Sequence, residues 1–295
     1  MNSIINKSIS SKDERCKMVG SEMICNVCMH HCHLKEGQSG RCRARKNENG
    51  KSIPINYGYI TSLALDPIEK KPLACFYPGS LILSVGSFGC NLNCAFCQND
   101  AIAMAGQSEV DTLLVTPEAL ARTAYEAKSQ GNIGIAFTYN EPLVGYEFVR
   151  DTAKCIHKYG MKNVVVTNGS LSEESAREIL PYIDAYNIDL KGFTQGYYDK
   201  LGGNLDYVKN FIQLTVKQAH VEITTLIVPG ENDTVEEIRQ LASWLASLDQ
   251  DIPLHLTRFF PRRHMKDKAP TDVNLLFELQ REAKRYLNRV FVGNV

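Results

Sequence analysis

The tightest constraint on this chain is the stretch 89–99, Gly-Cys-Asn-Leu-Asn-Cys-Ala-Phe-Cys-Gln-Asn, which spaces Cys90, Cys94 and Cys97 as C-x3-C-x2-C. It follows an apolar run at 81–85. Three thiolates packed this closely can bind three irons of a [4Fe-4S] cube and leave the fourth iron without a protein ligand. An open coordination position separates a reactive metal site from a structural one. The competing readings are a zinc knuckle short of one ligand and buried core cysteines. Core cysteines, however, have no reason to cluster at ligand spacing.

Upstream, Cys25, Cys28, Cys32 and Cys42 form C-x2-C-x3-C-x9-C, a set suited to closing around one metal centre. Zinc and a second iron–sulfur cluster both fit that spacing, and His30, His31 or His33 could replace a thiol. Nine of the ten cysteines fall in the first third of the chain, so metal ligation in a reducing compartment explains them better than a disulfide framework. Cys16, Cys75 and Cys155 receive no role; Cys16 reads as a free thiol on a patternless terminus. Lys+Arg and Asp+Glu are each 33, which gives no electrostatic case for nucleic-acid capture. No apolar run has membrane-span length and residues 1–12 lack a signal-peptide core, so the expectation is a soluble cytoplasmic protein.

From residue 80 the pattern alternates. Strands are expected at 81–85, 133–139, 163–166, 185–188, 221–228 and 254–260, with a short one at 290–292. Helices are expected at 117–130, 144–159, 172–180, 205–219, 234–248 and 273–287. The fold class is therefore α/β: a partial (β/α)6 TIM-like barrel over residues 76–295, preceded by a small cysteine-rich N-terminal segment, 1–75. A doubly wound open sheet is the alternative. In either case ligands meet the C-terminal strand ends, and Cys90 lies just beyond the first.

Other strand ends carry polar groups. Glu141 could accept from an ammonium, or simply satisfy a helix N-terminus. Asn168 suits ribose hydroxyls or a plain turn. Asp189 and Lys191 share a face with Asn187 and could hold a zwitterion or form a structural pair. His255 shares a face with Thr257, while Arg258 takes the other. A lone strand histidine is as often a satisfied core residue as a ligand.

Taken together, Cys25-x2-Cys28-x3-Cys32…Cys42, Pro78-Gly79-Ser80, the 89–99 motif, Thr138-Tyr139-Asn140-Glu141-Pro142, Asp189-Leu190-Lys191 and Pro253-Leu254-His255 resemble one group. It is the radical S-adenosylmethionine (SAM) component of the AmmeMemoRadiSam system, related to pyruvate formate-lyase activating enzymes. The superfamily usually carries Gly-Gly-Glu-Pro where this chain, like that group, has Tyr-Asn-Glu-Pro. The resemblance implies a [4Fe-4S] cluster on Cys90, Cys94 and Cys97 whose fourth iron is chelated by SAM. It also implies an external one-electron donor of flavodoxin or ferredoxin type, and a 5′-deoxyadenosyl radical that takes hydrogen from a substrate. Asn140, Glu141, Asn168, Asp189, Lys191 and His255 would orient the cofactor. The substrate could be a glycyl-radical protein, a small molecule or a Memo-like partner. A non-catalytic iron–sulfur electron-transfer or metal-binding protein is the competing class.

Overall fold

The computed structural model describes residues 16–19 and 22–295. At the N-terminus β1 (Cys16–Val19), β2 (Glu22–Cys25) and β3 (Cys32–Leu34) form an antiparallel sheet, and β4 (Arg45–Glu48) and β5 (Lys51–Pro54) form a hairpin. Residues 16–19 were expected to lack pattern; instead Cys16 lies in register opposite Cys25. After β6 (Tyr59–Ile60), β7 (Ser62–Pro67) runs antiparallel to β8 (Leu81–Gly86), and β9 (Leu113–Leu114) pairs with β6.

The main sheet continues from β8 through β10 (Asn132–Phe137), β11 (Lys162–Thr167), β12 (Ala185–Asp189), β13 (His220–Ile227), β14 (Leu254–Arg258) and β15 (Val290–Gly293). All seven are parallel, each pairing with the next in chain order, while β7 and β15 are the two edges. This is the expected partial barrel with its short last strand, lengthened at the other end by the antiparallel edge strand β7.

A short helix, α1 (Asp100–Ala103), follows the cysteine motif. The crossovers are α2 (Pro117–Glu126), α3 (Tyr146–Lys158), α4 (Glu173–Ile179), α5 (Gln195–Leu201), α6 (Leu205–Thr215), α7 (Val235–Leu248) and α8 (Val273–Ala283). Their starts follow from capping chemistry, since an Ncap oxygen can satisfy an otherwise orphan helix N–H. Thr116, Ser172 and Thr234 accept from Ala119, Ser175 and Glu237, and Asp272 accepts from Leu275. None of the described helices is long and apolar enough to cross a membrane.

Period-two alternation splits each strand between two cores. Leu83, Ile135, Phe137, Val165 and Tyr186 pack toward the helices. Ile82, Ala136, Val164 and Ala185 face inward and meet Ile68, Leu73 and Phe76 from the segment between β7 and β8. That segment fills the lower barrel, leaving the upper part open. Glu222, fully buried, accepts from the backbone N–H groups of Ala74 and Cys75, and Asn187 donates to the Pro72 carbonyl. The division expected at residue 75 therefore cuts through one packed unit, because β7 and residues 68–76 belong to the barrel's sheet and core.

Candidate active site

The loop after β8 turns at Gly89, whose φ of +88° disfavours a side chain. A Cβ there would also lie 2.5 Å from the Cys42 carbonyl and 2.7 Å from the Ala44 methyl, so the N-terminal segment packs directly on the loop. Cys90, Cys94 and Cys97 then line a cavity of about 390 Å³ at the C-terminal ends of the strands. They are the cysteines among the described residues that do so, and all three are free thiols. Leu92, Phe96 and Phe259 pack around them. Burial pushes the Cys94 thiol up to about 11 and raises Cys90 and Cys97 as well, with Glu141 adding to the rise at Cys90. Such thiols become thiolates at neutral pH when a metal takes them. A cube needs each thiol on a separate iron, and three thiols lining one cavity with an apolar backing have the chemistry for it, although no three His, Cys, Asp or Glu among the described residues stand together as ligands of a single ion.

Sequence reasoning missed Arg263, which braces the loop by donating to the Cys94 carbonyl at 2.7 Å and to Asn93 at 2.8 Å. No motif marks it. Its position was findable only through the fold.

In the same cavity Asp189 and Lys191 pair at 2.6 Å. Burial alone would lower the Lys191 pKa, but Asp189 and the nearby Cys94 hold it well above the usual range. The ion pair therefore sets one fixed anion and one fixed cation in the cavity that the thiols line.

Glu141, Asn168, Thr224 and Thr257 complete the wall. The Glu141 carboxylate accepts from the Thr167 hydroxyl at 2.7 Å, the Leu143 N–H at 3.0 Å and the Asn168 N–H at 2.7 Å. Burial outweighs those donors and raises its pKa to about 7, with Asp189 contributing to the rise. A carboxylate has about four lone-pair sites, so three donors leave it room for one more.

The two expected asparagines line the cavity and also support the cysteine loop. Asn140 Nδ2 donates to the carbonyls of Phe88 and Gly89, both at 3.1 Å, and its Oδ1 accepts from Ser87 N–H at 3.0 Å. Its amide thus helps to hold the cysteine loop, while the residue also lines the cavity. The Asn168 amide similarly donates to Asn91 Oδ1 at 2.8 Å and approaches Cys90 Sγ at 3.8 Å.

His255 departs from its expected place. It does not line the cavity; its Nε2 lies 2.6 Å from Glu222, and its ring stacks on Phe291 at 5.1 Å. Face alone suggested the site, but His255, the second residue of β14, lies one inward position below Thr257, deep enough to meet Glu222. Thr257 is the β14 residue that reaches the cavity.

Tyr139 sits at φ +76°, a backbone region that bulky residues rarely occupy. Its hydroxyl donates to Asp66 at 2.8 Å, and Lys71 lies 4.8 Å over its ring. The strained residue thereby links the cavity rim to β7.

At the N-terminus, Cys25 and Cys32 are register partners across β2 and β3. A methyl placed on Gly40 would lie 3.6 Å from Cys32 Sγ and 3.8 Å from Cys42 Sγ. Burial raises the Cys28 thiol to about 12 and Cys42 to about 11. The four share one neighbourhood, although in the rotamers present no three His, Cys, Asp or Glu among the described residues are gathered around a single ion.

A sequence model of the Radical SAM superfamily matches residues 84–245, more than half of the chain. An uncharacterized protein of Methanocaldococcus jannaschii is 37% identical over 283 residues, spanning 95% of this chain and 83% of that one. The pyruvate formate-lyase 1-activating enzyme of Escherichia coli K12 is 26% identical over 164 residues, 53% of this chain and 65% of that one. The crystal structure of Streptococcus suis SuiB bound to S-adenosylmethionine superposes with a TM-score of 0.55 at 15% identity. That match covers 69% of this chain and 47% of the other, and is a likeness of fold.

Proposed function

The chain belongs to the radical SAM superfamily and is related to pyruvate formate-lyase activating enzymes, and on that premise we propose that Cys90, Cys94 and Cys97 hold its SAM-cleaving centre. The family implies a [4Fe-4S] cluster and SAM. Together, on receiving one electron, they supply reductive cleavage of the sulfonium bond and a radical able to take hydrogen from a substrate. The observation that carries the assignment is that the three thiols and the Asp189–Lys191 pair line one cavity.

This chain's own residues would then act as follows. Lys191 would attract the carboxylate of SAM, and Asp189 and Glu141 its cationic groups. Asn140, Asn168 and Arg263 would fix the cysteine loop that holds the cluster. The apolar backing from Leu92, Phe96 and Phe259 would keep water from the reacting atoms, leaving the hard chemistry to the cofactor.

At finer grain, we read the chain as the radical SAM component of the AmmeMemoRadiSam system. An external one-electron donor would feed it, and its substrate would be a protein, either a glycyl-radical enzyme or a Memo-like partner. We also read the segment before β7 as a second metal site on Cys25, Cys28, Cys32 and Cys42, packed on the barrel as an integral part.

The test is spectroscopic. Anaerobically reconstituted and reduced protein should give an EPR signal that SAM perturbs, and a Cys94→Ala variant should lose that response. A cluster signal indifferent to SAM would favour a plain electron-transfer protein.

A further inference from the structure

From the end of β14 the chain reads Arg-Phe-Phe-Pro-Arg-Arg-His-Met-Lys-Asp-Lys over residues 258–268, five fixed cations and a histidine against one carboxylate. The chain as a whole has a net charge of zero, so this is a local excess. The structure lays the segment on the cysteine loop. The His264 N–H donates to the Ala95 carbonyl at 2.9 Å, and Arg263 donates to the Cys94 carbonyl at 2.7 Å. Met265 packs into the apolar shell that contains the three thiols. Yet the cavity lining takes Thr257 from this part of the chain and none of residues 258–268.

Much of the segment's charge is left for solvent. Arg262, His264 and Lys266 are exposed, and neither Arg262 nor Lys266 has an ion-pair partner among the described residues. Lys268 shares the Glu231 carboxylate with Lys200, at 3.4 Å and 2.8 Å, so two cations there meet one anion. The carboxylates nearest to the segment in chain and space are Asp267 itself and Asp100, which stands 3.9 Å from Arg263. Phe260 is 40% exposed, and the Arg258 guanidinium lies 5.1 Å from its ring centroid. Unpaired cations around an exposed ring suit an acidic protein face, where opposite charge steers encounter.

Placement narrows the kind of partner. A macromolecule seated on residues 258–268 reaches the loop that carries Cys90, Cys94 and Cys97 without entering the cavity. A substrate that gives up a hydrogen atom must bring that atom into the cavity, whereas an electron donor needs closeness alone. We propose that residues 258–268 are the docking face for a small acidic one-electron donor protein, with Arg262 and Lys266 meeting its carboxylates. The inference rests on the reading of Cys90, Cys94 and Cys97 as ligands of the SAM-binding cluster, since that reading is what calls for an outside donor.

The experiment uses the full chain, reconstituted without oxygen. It is titrated by calorimetry with oxidised flavodoxin and, separately, with an oxidised ferredoxin, both acidic, at low and at high salt. At least one of them should bind at low salt and weaken as salt screens the charges. The same affinity should fall by about tenfold or more in a variant carrying Arg262→Glu and Lys266→Glu. Those two side chains make none of the hydrogen bonds that hold the cysteine loop. The variant's EPR response to SAM and its rate of reduction by dithionite should therefore match the wild type, while reduction by the donor protein slows. Binding of neither protein at low salt, or an affinity unchanged in the variant, overturns the docking face and leaves the cluster assignment standing. A single-stranded RNA bound more tightly than both proteins, and lost in the same variant, assigns the face to nucleic acid and overturns the proposal as well. Absence of any SAM response in the wild type overturns the reading of Cys90, Cys94 and Cys97, and the donor proposal with it.

Discussion

Replacing Glu222 with alanine should unfasten the barrel's interior. The carboxylate is fully buried and accepts four hydrogen bonds: from Ala74 N–H at 2.9 Å, Cys75 N–H at 2.8 Å, His220 Nε2 at 2.9 Å and His255 Nε2 at 2.6 Å. An ionised carboxylate can only accept, so both rings present a protonated Nε2. Burial pushes the Glu222 pKa up, but those donors outweigh it and hold the group down at about 2, against a usual 4.5. That gap of 2.5, at about 1.36 kcal/mol per pKa unit, corresponds to about 3 kcal/mol. Independently, breaking a buried charged network by removing one partner costs about 3–5 kcal/mol. The two routes agree. Because the folded pKa is lowered, the contribution is present above about pH 4.5 and is lost as the pH falls toward about 2. Urea unfolding followed by circular dichroism should therefore show Glu222→Ala less stable by about 3 kcal/mol at neutral pH, with a smaller deficit at about pH 3. A neutral-pH loss below about 1 kcal/mol, or an equal loss at both pH values, would refute this account of what anchors residues 72–75.

Further outcomes follow from the same geometry. His255→Gln should lower the urea midpoint while leaving SAM affinity at the wild-type value by calorimetry, since the ring meets Glu222 below the cavity. Lys191→Met should weaken SAM binding by about tenfold to a hundredfold, about 1.4–3 kcal/mol, and unchanged binding would remove the pair from the site. Glu141, raised to about 7 by burial, accepts a cation best when ionised. SAM affinity should therefore increase as the pH rises from about 6 to about 8, and this slope should vanish in Glu141→Gln. Arg263→Ala should lower iron retention on reconstitution, because two hydrogen bonds that brace the cysteine loop are lost.

Much of this architecture was legible in the chain because it rests on local rules. Apolar runs gave the parallel strands, capping residues gave the helix starts, and the motif at 89–99 falls beyond the first barrel strand as expected. Alternation also placed Asp189 and Lys191 near one another, and the structure brings both to the cavity that holds the three thiols. What sequence could not supply was depth and partner choice. His255 and Thr257 do share a face, yet only strand register reveals that one lies below the cavity and the other beside it. An asparagine amide serves a cofactor or a backbone equally well, so Asn140 and Asn168 could not be sorted before the cysteine loop was seen packed against them. Residues 53–65 read as short β-like segments, but that β7 joins the barrel sheet shows only in its pairing with β8. The 2.6 Å contact of His30 Nε2 with the Asn91 carbonyl joins two motifs that read as separate.

The central claim is that the open iron beside Cys90, Cys94 and Cys97 is where SAM is cleaved. Its most direct test is the yield of 5′-deoxyadenosine from SAM after anaerobic reconstitution and reduction with dithionite. The wild type should form it, and the Cys90→Ala variant should form none. 5′-Deoxyadenosine at the wild-type level in Cys90→Ala would contradict the account.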